Sequence, residues 1–169
     1  LGQKREELKN LTHDVVVDRI RVGPEAADRL REAVATARAA GAGAGLAEVD
    51  GADEVVIYDE HYYGRNIDLA QLPKGARAIC GKPPYRSDWA GGLDHSFTGL
   101  ILHGFHSKSG TLNGLLHHTY EPDIADLLLN GVSVGEIGVE AAIAGDFGVP
   151  TVLIVADSAG VAEAANLLP

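Results

Sequence analysis

The residues best suited to chemistry are histidines and acids placed where the chain leaves its apolar runs. The segment HGFHSKSGTLNGLLHHTY, residues 103–120, holds four of the chain's seven histidines. The segment YDEHYYGRN puts Asp59, Glu60 and His61 just past the run DEVVIY. Glu136 falls in the first turn of a helical pattern, where the positive end of the helix dipole favours a carboxylate. Two imidazoles and a carboxylate from separate segments form the donor set of a catalytic zinc site, which uses three protein ligands and keeps a position for water. His61, His106 and Glu136 are therefore the candidate metal ligands. Each also has an ordinary reading, as a solvent-exposed or hydrogen-bonded loop histidine or as a helix-start charge.

The other polar residues sort by geometry. Alternation along a strand sends His103 to the face opposite His106, which makes it structural. His117 and His118 are adjacent, so in an extended segment only one of them faces a common site. A histidine beside a metal-bound water can act as general acid or base. Lys108 and Thr119 are able to hold or polarise a carbonyl. A serine nucleophile is poorly supported, since no GxSxG occurs and neither Ser107 nor Ser109 sits between a strand and a helix.

The elements that must position these residues read as α/β. DEVVIY at 53–58, FTGLILHGF at 97–105 and TVLIVAD at 151–157 are short apolar runs with the character of strands buried on both faces. A short strand is expected around Ala78–Cys80, inside the long Pro- and Gly-punctuated connection 72–94. Two helices are expected, one over 24–40 and one over 133–148 with Ser133 as cap and Gly148 and Pro150 as stop. The glycines of GAGAG follow a helix, and a dinucleotide loop must follow a strand, so they read as a C-cap and loop. In such sheets ligands gather at the carboxyl ends of the strands. The expected architecture is one α/β domain over 1–169, three-layer α/β/α with a mainly parallel central sheet.

Composition narrows the partners. The 169 residues suffice for one sizeable core. A formal charge of −10 with no basic cluster argues against nucleic acid and anionic membrane. No apolar run is long enough to cross a bilayer as a helix, and the start LGQKREELKN lacks a signal-peptide core. The lone Cys80 gives no sign of an oxidising compartment, so a soluble cytoplasmic protein is expected.

At the same residues the chain resembles the zinc-dependent D-aminopeptidase family, the M55 peptidases. GADEVVIYDEHYYGRNI, GFHSKSGTLNGLLHHTY and LNGVSVGEIGVEAAIAGDFGVPTVLIVAD are similar, in order, to its signature segments. The resemblance implies an aminopeptidase that removes an N-terminal residue, often a D-amino acid, from short peptides, using a pair of zinc ions (Zn2+) in a ring-like homo-oligomer. It implies metal ligation by His61, His106 and Glu136, and a catalytic role for His118, the histidine that precedes a threonine. The family also has an Asp-x-Glu-Gly segment supplying further carboxylates. HDVVVDR at 13–19 has acids in a different arrangement, and the chain stops where the family continues. A core segment with one firm zinc site is the expectation. The rival is a non-catalytic relative that keeps the fold as a peptide-binding or assembly module.

Overall fold

A computed structural model describes residues 16–21, 52–61, 63–72, 74–81 and 90–168. The helix expected over 24–40, the GAGAG segment and part of the 72–94 connection lie outside them. Among the described residues, seven strands and two α-helices follow in chain order: β1 Val16–Arg21, β2 Glu54–Tyr58, β3 Ala76–Ile79, β4 Gly99–Phe105, β5 Leu127–Leu129, β6 Val132–Val134, α1 Glu136–Asp146, β7 Thr151–Ala156 and α2 Ser158–Leu167. A 3-10 turn at Leu69–Gln71 precedes β3.

Five strands form one sheet in the order β3-β2-β1-β4-β7. β2 pairs parallel with β3, and β4 parallel with β7. β1 lies between the two pairs and runs antiparallel to both β2 and β4. Four of the five strands thus point one way, as expected for a mainly parallel α/β sheet, and β1 alone is reversed. The register places Tyr58 and Leu102 opposite Val17 on its two sides, so β2 and β4 leave the sheet at the same edge.

β4 is apolar because it is interior: Leu100, Ile101, Leu102 and Phe105 are buried, each contributing roughly 1.5–3 kcal/mol of transfer free energy. Together with Val56, Phe97, Ile137, Ala144, Val149 and Ala164 they belong to the core. β7 departs from the expectation of burial on both faces. It lies at the edge of the described sheet, and Val155 is exposed.

Ser133 does not start the helix. It lies in β6, paired with β5 across Asn130-Gly131, whose φ values of 52° and 83° suit a two-residue hairpin. That pairing keeps 132–134 extended, and α1 begins three residues past Ser133, with Gly135 as its N-cap. The helix ends as expected: Gly148 adopts φ 71°, and the Gly148 and Val149 amides donate to the carbonyls of Gly145 and Ala144. α1 and α2 pack against each other, with α1 also on β4 and β7 and α2 on β7.

Candidate metal centre and its relatives

The exit from β4 is shaped by a backbone irregularity. The β4–β7 register shifts between His103 and Phe105, and Gly104 between them has φ 76°. Bulges of this kind re-aim the residues that follow. His103 stays half-buried in the strand, its Nδ1 without a hydrogen-bond partner among the described residues. His106, past the strand end, donates from Nδ1 to Ser107 O at 3.1 Å. The carbonyl can only accept, so this contact fixes the proton on Nδ1 and leaves the Nε2 lone pair open.

Residues 107–119 then fold back on themselves. The Ser109 amide donates to Oγ1 of the buried Thr119 at 3.0 Å, and the Gly110 amide to His117 Nδ1 at 3.3 Å. Asp157, directly after β7, caps α2 through the Gly160 amide and also accepts from the Leu115 amide at 2.6 Å. Gly114 is required where it stands, because a Cβ there would run into Ser107 Oγ. His117 therefore fastens the loop. His118 turns the other way, its Nδ1–H donating to Leu116 O at 2.6 Å, again with Nε2 open.

The result is a three-residue group. Nε2 of His106 and of His118 lie 3.6 and 3.8 Å from Glu136 Oε1. One ligand atom from each of His106, His118 and Glu136 lies within 4.8 Å of the other two, and among the described residues no other such group of three occurs. Donors about 2.0–2.2 Å from one tetrahedral ion sit about 3.3–3.6 Å apart, so the donor types suit zinc and the His106 Nε2–Glu136 Oε1 separation is of the required size. Glu136 is held by the Tyr120 amide, which donates to Oε1 at 2.7 Å, while the Tyr120 hydroxyl donates to Glu140 at 3.0 Å. The Tyr120 ring is 43% exposed, yet withdrawal of its hydroxyl from water, followed by the charge and hydrogen bond of Glu140, raises its pKa and keeps it a donor.

The two imidazoles have unequal places in the group. Their rings stack with centroids 3.9 Å apart and planes inclined by 23°. A metal lies in the plane of its ligating imidazole, and near-parallel stacked rings send their lone pairs side by side. This arrangement disfavours one ion lying in both planes. His106 is the more enclosed, at 14% side-chain exposure against 38% for His118.

His61, the other expected ligand, lies apart from the three-residue group. It leaves the same sheet edge as His106, but its side chain is exposed. The reason is the local turn. Buried Asp59 accepts from the Asn66 amide at 2.6 Å, from Asn66 Nδ2 at 2.9 Å and from the Ile67 amide at 3.1 Å, and the Gly64 amide and Asn66 side chain close on His61 O. Asp59 organises this loop. Lys108, a candidate for polarising a carbonyl, instead donates through Nζ to Ser133 Oγ, which in turn donates to Asp126.

Against this geometry, the model of the D-aminopeptidase family of M55 peptidases matches residues 14–169. The chain belongs to that family. The D-aminopeptidase of Bacillus subtilis (strain 168) is 30% identical over 120 residues, covering 70% of this chain and 43% of that protein. The solved structure of the Zn-dependent D-aminopeptidase DppA from Bacillus subtilis, described as a self-compartmentalizing protease, aligns with a TM-score of 0.65 at 27% identity, over 84% of this chain and 47% of that one. The chain spans less than half the length of either relative. Family membership fits the α/β sheet. Asp157 and Glu163, which tie the site's loop to α2, escaped the sequence reading. Asp157 carried a signal as an acid directly before a helix; Glu163 carried none.

Proposed function

We propose that this chain carries a zinc-dependent aminopeptidase site acting on short peptides, with preference for an N-terminal D-residue. The observation that supports it is the convergence of His106, His118 and Glu136 at the strand edge of a chain from the D-aminopeptidase family. Zinc dependence is the property named for the Bacillus DppA structure. In this reading His106 and Glu136 are metal donors, His61, which leaves the same sheet edge, is the third, and His118 carries protons. The ring stacking supports that division, because it disfavours His106 and His118 as joint donors.

Zinc, when bound, supplies Lewis acidity that polarises a carbonyl and acidifies water. The chain does the rest. His118, with Nδ1–H committed to Leu116 O, offers Nε2 to take the proton of the attacking water and to return it to the departing amine. Tyr120 keeps Glu136 aimed at the site through its amide. The net charge of −10 favours approach of a protonated peptide terminus. A ring-like homo-oligomer fits both the self-compartmentalizing relative and the exposed Leu112, Leu116, Leu128 and Val132. No described helix is long and apolar enough to cross a membrane, and the single cysteine fits a cytoplasmic setting.

The test pairs metal analysis with peptide release. Dipeptides bearing D- or L-residues at the amino terminus are incubated with zinc-loaded and chelator-treated protein. Chelator-sensitive release, faster for the D-series, is expected. Folded, zinc-supplied protein that releases nothing from either series would overturn the proposal.

A further inference from the structure

We infer that Glu163 of α2 is a positioning residue that clamps together the two segments bearing His106 and Glu136; the inference rests on the metal site proposed above. Its Oε2 accepts the Lys108 amide at 2.7 Å, across fifty-five residues of sequence. Lys108 is two residues past His106. Its Oε1 is buried with no hydrogen-bond partner, and a Cβ built on Gly135 would come within 2.9 Å of it. Gly135 directly precedes Glu136 and caps α1 without any side-chain hydrogen bond. The same built Cβ would lie 2.7 Å from Lys108 Cβ and 2.9 Å from Lys108 Cα, so Lys108, Gly135 and Glu163 meet at one point.

The chemistry of the contact separates it from simple packing. A carboxylate oxygen withheld from water without a donor is unfavourable, and apolar side chains of the same volume would pack between α1 and α2 without that cost. What offsets it is the bond from the Lys108 amide and the nearby positive end of α1, which favours negative charge. Both effects act on the backbone that carries the donors. With Glu163 in place, the His106 loop and the start of α1 cannot drift apart, and the 3.6 Å separation of His106 Nε2 and Glu136 Oε1 is held before any ion arrives. Supporting residues of this kind typically alter metal affinity about 10–100-fold when removed.

Two variants of the full chain test reach against charge. In Glu163→Gln a side-chain oxygen can still accept from the Lys108 amide; in Glu163→Asp the charge stays but the side chain is one methylene short. Metal-free proteins are titrated with Co2+, reading its visible absorption, and amide hydrogen exchange is measured at Lys108. The expected result is a 10–100-fold weaker Co2+ affinity with an altered spectrum and a faster Lys108 exchange for Glu163→Asp, with Glu163→Gln within about threefold of the parent. Parent-like affinity, spectrum and exchange in Glu163→Asp would overturn the clamp, as would equal damage from Glu163→Gln. If the parent binds no Co2+, the metal-site reading fails, and Lys108 exchange in the two variants still decides the clamp by the same pattern. If Glu163→Asp does not fold, the parent decides: a Lys108 amide exchanging as fast as an open loop overturns the clamp, and a protected one together with an undisturbed Glu163→Gln supports it.

Discussion

Leu116 O determines which nitrogen of His118 faces the site, and Leu116 holds that carbonyl in place at φ 56°, a left-handed conformation that costs a non-glycine residue about 1–3 kcal/mol. Asn113 and Tyr120, at φ 65° and 54°, share the same condition within eight residues. Strain gathered next to converging imidazoles marks where the fold spends stability on geometry. His118→Gln is expected to lower kcat about 10²–10⁴-fold with metal content retained, and His117→Gln to leave kcat within a few-fold, since His117 only accepts from the Gly110 amide. Steady-state kinetics with metal analysis on both variants check this, and metal loss in the first would make His118 a ligand. His106 and Glu136 were expected at one sheet edge because one follows an apolar run and the other lies at a helix start, whereas His118 entered only through the family resemblance, as a proton carrier. The place of His61 was not legible, because it depends on how Asp59 and Asn66 knot the turn, which no periodicity records.

Among the elements, the three apolar runs announced strands correctly, β4 because it is interior and buried, whereas β7 is a strand of the same composition at the edge of the described sheet. The β5–β6 hairpin was missed although LLLNGVSV contains its turn, since a helical stripe through Val134 and Ile137 competed for the same residues. Pairing won over the cap that Ser133 offered. Glu163 was beyond reach of sequence, its partner lying on another element. The junction of β7 and α2 is likewise tertiary: one Asp157 oxygen caps α2 and the other anchors Leu115. Asp157→Ala is expected to cost about 1–2 kcal/mol by denaturant titration, the cap alone accounting for about half or more. It is also expected to lower turnover by loosening the loop that carries His118. Unchanged stability and turnover would show that neither bond matters.

For the whole molecule, the donor inventory sets the metal count. Among the described residues a single group of three metal-binding side chains occurs, and a second ion nearby would need its own donors and a bridging carboxylate. Zinc titration of metal-free protein is expected to give one tight equivalent per chain; two would show that acids elsewhere complete a binuclear site. Light scattering is expected to reveal self-association, and a monomer over a wide concentration range would count against the ring. The reversed strand at the middle of the sheet has its own effect on how the protein comes to be folded. β1 is the first described strand to leave the ribosome, yet the pairs β2–β3 and β4–β7 are joined only through it. It has to wait, one edge unsatisfied, until β4 has been synthesised. Closure over so long a chain segment is slow, and during that delay the open edge is available to neighbouring chains. Refolding yield should therefore fall with concentration more steeply than the native surface alone would suggest.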